Sequence, residues 1–172
     1  MPYTIRRVTL ADVDSFRTLR LQALADTPDV FGDTLAHAQS QSNGYWTERV
    51  TTMTIDTRGV GYLAEANGTP VGFAGMTLEE NPRFAHAGYL WGVFVAPGHR
   101  GQRLADQLVE ACVAVAKTRG LRLVRLGVGT FNPRAIACYL RCGFSIYGIE
   151  AESMAAGDRY IDEFMMHRRL VP

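Results

Sequence analysis

The sequence predicts an α/β (α+β) domain built on a mixed sheet, and three observations point there. Apolar residues recur at two-residue spacing in some segments and at helical spacing in others. An Asn67-Gly68 pair separates two β-rich runs and marks an antiparallel hairpin. In the middle of the chain a strand, a helix, a strand and a helix follow one another, which implies a right-handed crossover. The chain has 172 residues, 47% of them hydrophobic, and a chain of that length buries roughly 70% of its unfolded surface, so no disulfide or metal staple is required. Its 17 Gly and 7 Pro are scattered without period and only 20% of residues are charged, which excludes collagen-like, coiled-coil and disordered classes. No internal repeat, low-complexity tract or linker divides it, and residues 1–172 read as one domain.

Taken in order, Thr9-Leu-Ala-Asp12 has the form of a capping box, and Val13, Phe16, Leu19 and Ala23 follow at helical spacing, predicting a helix over 10–25. That helix ends at Thr27-Pro28. The stretch to Gly44 mixes turn formers with single apolar residues and reads as irregular, with a short helix over 46–53 after it. Residues 61–66 and 71–78 are the strands of the hairpin. Residues 89–95 are apolar on both alternating faces, with Tyr89, Trp91, Val93 and Val95 on one and Leu90, Gly92 and Phe94 on the other. They predict a central strand covered on both sides, broken by Pro97-Gly98. Over 102–119, Leu104, Leu108, Ala111, Cys112 and Val115 form one buried stripe of a helix that Gly120 ends. A buried strand over 121–128 and a helix over 133–141 follow, with Pro at the first helical position and Gly143 just beyond the end. Strands over 144–149 and 161–168, flanking a polar loop with Met154, Gly157 and Asp158, complete the chain.

Charge and composition exclude several function classes. The balance of 18 Lys+Arg against 17 Asp+Glu leaves a formal charge of +1, without the broad basic stripe of a nucleic-acid binder, so any bound anion must be caught locally. The longest apolar runs, 89–95 and 111–116, fall far short of the roughly 20 residues of a membrane span. Residues 1–7 show no apolar signal region, and three cysteines cannot form a complete disulfide set, so the expected setting is a reducing cytoplasm.

The most informative stretch is Val93 to Ala105. A buried strand turns through Pro97-Gly98 and enters a helix whose first turn carries Arg100 and Gly101, exposing backbone N–H groups at the positive end of the helix dipole. On these residues alone the turn reads equally as a phosphate site or an ordinary strand-to-helix turn. A second stretch, Asn132 to Phe144, follows the next buried strand, placing Asn132 at its end and Tyr139 about two turns into the next helix. Together the Val-x-Pro-x-x-Arg-Gly turn at 95–101 and the Asn-x-x-Ala-x-x-x-Tyr-x-x-x-Gly-Phe run at 132–144 resemble the GNAT superfamily, the acyl-CoA-dependent N-acyltransferases, in order from about Ile5 to Leu170.

The resemblance implies a single-domain fold. It has a mixed, mostly antiparallel sheet of about six to seven strands, a central splayed parallel pair and about four flanking helices. It also implies roles. The pyrophosphate signature falls on Arg100, Gly101, Gln102, Arg103, Leu104 and Ala105, whose N–H groups would cradle the diphosphate of acetyl-CoA, the expected cosubstrate. Phe94 and Val95 would pair main chain with the pantetheine arm, and Asn132 would hydrogen-bond it from the neighbouring strand. Tyr139 would protonate the leaving thiolate, and a backbone N–H near Phe94 would meet the oxyanion. Arg103 departs from the pattern, which places Gly there. A Cβ is tolerable if the position has helical φ/ψ and the side chain points outward.

The implied function is transfer of an acetyl group to a primary amine of a small or amino-acid-like molecule. The alternatives are a protein N-terminal or lysine acetyltransferase, or a non-catalytic acyl-CoA-binding module. Expected partners are the amine and acetyl-CoA, with a homodimer allowed and neither nucleic acid nor membrane. The base is open among Glu79, Glu80, Tyr89 and Glu150, with Glu80 and Glu150 marked for the acceptor pocket; Glu152, Asp158, Asp162 and Glu163 add carboxylates near the last two strands. No metal is expected. Cys138 and Cys142 stand at i, i+4, but with no His or third Cys at ligand spacing they read as buried helix residues. Gly127-Val-Gly129 lacks the third Gly of a dinucleotide fingerprint. Lys117, the only lysine, stands in no phosphate-binding Gly-Lys-Ser/Thr motif, which excludes a Walker-type NTPase. His86 and His99 read as structural or surface residues.

Overall fold

The hairpin forms as its turn requires. Strands β2 (Gly59–Ala66) and β3 (Thr69–Leu78) run antiparallel, and Asn67 and Gly68 between them have φ of 51° and 77°, the two positive values of a type I′ turn. The structure, a computed structural model, describes residues 2–55 and 57–170. The other strands are β1 (Tyr3–Arg7), β4 (Ala87–Val95), β5 (Leu123–Gly129), β6 (Ser145–Ala156) and β7 (Arg159–Arg169). They form one seven-stranded sheet in the order β1-β2-β3-β4-β5-β7-β6. Every neighbouring pair is antiparallel except β4 and β5. The helices are α1 (Val13–Asp26), α2 (Leu35–Ser40), α3 (Asn43–Thr54), α4 (Leu104–Thr118) and α5 (Pro133–Arg141). Among the described residues none is long and apolar enough to cross a membrane.

Two cores fill the two faces. On one face α1, α2 and α3 bury Phe16, Leu24, Ala38, Trp46, Val50 and Met53 against Leu63, Phe73 and Phe94, and Phe16 stands edge-on to Phe73 at 5.2 Å. On the other face α4 lies across β2, β3 and β4. It buries Leu104, Leu108, Val109, Cys112, Val113 and Ala116, while Ala111 and Val115 sit at the margin. The stripe is wider than the sequence spacing implied, because a flat sheet, unlike a single helix, covers a broad arc of the helix surface. Each of these Leu and Val side chains contributes roughly 1.5–3 kcal/mol by leaving water.

The capping box docks α1 to β1. Asp12 Oδ2 accepts from the Thr9 N–H (2.8 Å), and Arg6 of β1 donates to both Asp12 oxygens at 2.7 and 2.8 Å. This guanidinium, more than the Thr9 bonds, holds the Asp12 carboxyl well below the usual carboxylate range.

Four sequence expectations change. Residues 3–7 form β1, whose hydrogen-bond partner β2 is distant in sequence. Part of the stretch read as irregular is α2, opened by Thr34 Oγ1 accepting from the His37 N–H (3.2 Å). The polar loop is a long hairpin: β6 runs on to Ala156, and only Gly157-Asp158 turn. Finally, the faces of β4 are not those of strict alternation. Phe73 to Gly75 on β3 spans two residues where Phe94 to Trp91 on β4 spans three, a bulge with Gly92 at φ 68°. Leu90 faces α4 and Trp91 faces α3, but beyond the bulge Val93 and Val95 face α4 and Phe94 faces α1. The odd-numbered residues therefore change sides at Gly92.

Candidate active site

The parallel pair holds for three residues only. Ala87, Gly88 and Tyr89 of β4 pair with Leu123, Val124 and Arg125 of β5, after which the strands diverge, each keeping its outer neighbour. Their facing edges beyond that point bound a cleft of about 850 Å³. It opens at the carboxyl ends of the strands, where a sheet with a topological switch binds ligands. The Ala96 N–H donates to Val71 O (2.8 Å), so alternation turns the Val95 amide toward the cleft and the Phe94 N–H toward β3. The strand-edge donor expected near Phe94 is therefore that of Val95. The Val95 carbonyl accepts from Arg100 Nε (2.9 Å), and Arg100 also pairs with Asp26 at the end of α1, a framework role that ties the strand end to the helix.

Beyond Arg100 the chain passes through two left-handed residues, Gly101 at φ 82° and Arg103 at φ 55°, ψ 26°. Arg103 is thus not helical as its tolerance had required. It occupies the conformation for which Gly is suited, at a cost of roughly 1–2 kcal/mol. Arg103 gives α4 no side-chain cap, and the Gln107 N–H is the first to bond back into the helix, to Arg103 O (3.1 Å). The N–H groups of Leu104, Ala105 and Asp106 are left as donors at the positive helix end.

Across the cleft α5 starts differently. Asn132 Oδ1 caps it by accepting from the Ala135 N–H (3.2 Å), and Pro133 at the first position has no N–H to satisfy. The Asn132 amide NH2 has no hydrogen-bond partner among the described residues. Tyr139 is buried, edge-on to Phe144 with ring centroids 6.0 Å apart, and lines the cleft. Burial first, then Cys138, pushes its hydroxyl above the ordinary phenol value, so it stays protonated at neutral pH. Cys138 and Cys142 are buried as expected, but Asp106 from α4 joins them, with ligand atoms all within 4.8 Å. Both Asp106 oxygens accept from Arg141, at 3.1 and 2.7 Å, so its charge is already neutralised. The cluster joins the first turn of α4 to the last turn of α5.

At the far end, on the face not covered by α4, Tyr89 and Glu163 converge over Gly127. A Cβ there would lie 3.1 Å from Glu163 Oε2 and 3.2 Å from the Tyr89 hydroxyl, so glycine is what lets the two groups meet. Ser153 donates to Glu163 Oε2 (2.6 Å), and burial with the Glu163 charge raises the Tyr89 pKa. One ion pair joins the α1–α2 segment to the β6–β7 hairpin among the described residues, Arg159 with Asp29, and a Cβ at Gly32 would lie 3.9 Å from Met154 Sδ.

Of the residues singled out in the sequence, Phe94, Val95, Arg100, Gly101, Arg103, Leu104, Ala105, Asn132 and Tyr139 line one cleft. Gln102 is exposed and outside its lining; Glu80 stands exposed in the 79–86 loop; Glu150 is exposed on β6 opposite Glu163. Glu79 borders a second hollow with Tyr89 and Arg125. Sequence reasoning missed Phe31, Val93, Phe131 and Arg134, which also line the cleft. A signal existed for Arg134: like Arg103, it sets a cation at a helix N-terminus, the wrong sign for the dipole unless an anion sits there.

Comparison with known proteins agrees with this geometry. The model of the Acetyltransferase (GNAT) family matches residues 23–144. An uncharacterized N-acetyltransferase of Methanocaldococcus jannaschii is 32% identical over 144 residues, covering 83% of this chain; the chain spans 60% of that relative's length. The acetyltransferase of GNAT family from Streptococcus pneumoniae superposes with a TM-score of 0.89 at 20% identity, covering 99% of this chain and 100% of that one. A putative acetyltransferase from Salmonella typhimurium, solved with its cofactor acetyl-CoA, gives 0.86 at 18% identity over 100% of this chain and 96% of that one. The structural likeness establishes the fold, and the family match, which takes in most of the sheet and both sides of the cleft, shows that this chain belongs to the GNAT acetyltransferase family.

Proposed function

We propose that the protein is a cytoplasmic N-acetyltransferase that moves an acetyl group from acetyl-CoA to the primary amine of a small molecule. The observation that carries the reading is the cleft between β4 and β5, with an open strand edge at Val95, an uncapped helix end at Leu104 to Asp106, and Tyr139 in its wall. Acetyl-CoA supplies the activated acyl group. The α4 N–H groups and the guanidinium groups of Arg103 and Arg134, which have no ion-pair partner among the described residues, suit its phosphates. Val95 and the Asn132 NH2 hold the pantetheine arm. Glu163 takes the ammonium proton, so that the neutral amine forms the new C–N bond. As the C–S bond breaks, Tyr139 donates its proton to the departing thiolate and recovers one from solvent. The Arg159–Asp29 ion pair bridges the α1–α2 segment to the β6–β7 hairpin, which favours a small acceptor over a protein terminus or lysine.

Thiol release from acetyl-CoA with panels of small amines and of peptides, beside calorimetric binding of CoA, tests the proposal. Turnover with a small amine is expected. Tight binding without turnover on any amine would make the protein an acyl-CoA-binding module, and a preference for peptides would reverse the acceptor assignment.

A further inference from the structure

We infer that Arg20 and Arg49, which gather beside Phe31 of the cleft wall, form an anion subsite for the acceptor, so that the acceptor is a zwitterion of amino-acid type, with a carboxylate beside its amine. The inference rests on the proposed acyl transfer and specifies its acceptor. Arg20 of α1 is only 6% exposed, and its Nη1 is buried with no hydrogen-bond partner among the described residues. Its guanidinium lies 4.7 Å from the ring centroid of Phe31, a residue of the cleft wall. Arg49 of α3 reaches the same region, 5.2 Å from the Trp91 ring centroid, and donates to the Tyr45 hydroxyl (3.0 Å).

Neither arginine has a carboxylate in hydrogen-bond contact among the described residues. The acid that attracts Arg20, Asp33, already accepts from the Thr34 N–H (2.8 Å) and contacts His37 Nδ1 (2.7 Å). A buried guanidinium without an anion is unfavourable, and a second cation beside it adds repulsion. Burial, then the Arg49 charge, lowers the Arg20 pKa to about 10. An apolar side chain would fill the same space without that cost. An anion between the two forks removes the repulsion and satisfies the free donor, and a carboxylate matches the planar fork. The placement suits a zwitterion. Trp91, which stacks on Arg49, and Tyr89, which meets Glu163, are two residues apart on one face of β4. One end of the acceptor would meet cations and the other a carboxylate.

The test compares amino acids with their own carboxamides, and with peptides beginning with the same residue, by thiol release and by calorimetry on the CoA-loaded protein. The free amino acid should exceed its carboxamide in kcat/KM by roughly 30-fold, through KM. In Arg49→Gln the two should converge, and Arg49→Lys should keep part of the difference. Arg20→Met separates function from structure: it should abolish the preference yet raise Tm, whereas a structural Arg20 would lower Tm. Equal use of acid and carboxamide by the wild type, an equal loss for both in Arg49→Gln, or better use of the peptide overturns the subsite. If no amine is acetylated, the proposed reaction fails, while calorimetry of the same acid and carboxamide still decides the subsite.

Discussion

After β4 the chain enters α4 through two left-handed residues and without a side-chain cap; after β5 it enters α5 with Asn132 Oδ1 on the Ala135 N–H and Pro133 at the first position. Both turns stand where the parallel pair diverges, and both begin a helix that packs on the same face. The first forgoes about 1 kcal/mol of capping and adds the strain of Arg103, but keeps three N–H donors for a ligand. The second caps the Ala135 N–H with its own Asn132 and has no donor at Pro133, and the groups it turns to the cleft include the side chains of Asn132, Arg134 and Tyr139. The lesson is that one end of the cleft suits a polyanion through backbone, and the other suits a neutral arm and a reacting group through side chains.

The largest expected effect is at Tyr139. In Tyr139→Phe, CoA affinity should stay near wild type while kcat falls by roughly 10²–10⁴, and the loss should shrink with acyl donors whose thiolates leave more readily. Full kcat under chemistry-limited conditions would reassign Tyr139 to packing and remove the reacting group from the α5 side. Next comes Gly101→Val. Nothing lies within 4 Å of a Cβ at that position, so packing is undisturbed, but φ of 82° forces the turn to rearrange. CoA affinity should drop about tenfold or more with the fold retained, as read by calorimetry and circular dichroism.

Asn132→Ala probes the capped end: it should destabilise the protein by about 1 kcal/mol in a urea titration and weaken CoA binding only a few-fold. Arg103→Gly should do the opposite, gaining about 1 kcal/mol by relieving the left-handed strain. It should also weaken CoA binding a few-fold and flatten its salt dependence, since a charge is lost. If Arg103→Gly binds CoA better, the Cβ crowds the phosphates instead.

The smallest effect is the Asp106–Arg141 pair that links the two turns. Arg141, the largest influence, lowers the Asp106 carboxyl pKa. Its stabilisation is therefore complete above the unfolded value of about 3.9 and is lost as the pH falls through the lower folded value. The Tm gap between wild type and Asp106→Asn should be constant above about pH 5 and close in acid; a gap that widens in acid would break the link.

How legible these features were in the sequence depends on the range of the interaction that makes them. Asn67-Gly68, Pro97-Gly98, the Thr9 box and Asn132-Pro133 act on their own neighbours, so residue type and order suffice to place the hairpin, the ends of β4 and the starts of α1 and α5. The cleft wall was legible for the same reason: its motifs are contiguous turns. The bulge at Gly92 was not, because an extra residue on β4 is defined only against the register of β3. Nor were β1, whose bonds go to β2 from far along the chain, and which of Glu150 and Glu163, two carboxylates on paired strands, stands over Gly127 with Tyr89.

What the sequence by itself determined is the order of elements from α3 to β7 and the two strand-to-helix entries, since turn chemistry and capping act within a few residues. Only the tertiary structure decided which distant side chains come together. The bulge turned Trp91 toward Arg49, bare Gly127 let Glu163 meet Tyr89, and the packing of α1 left Arg20 buried beside a second cation. Those outcomes depend on contacts between residues 29 to 74 positions apart in the chain, and no local preference encodes them.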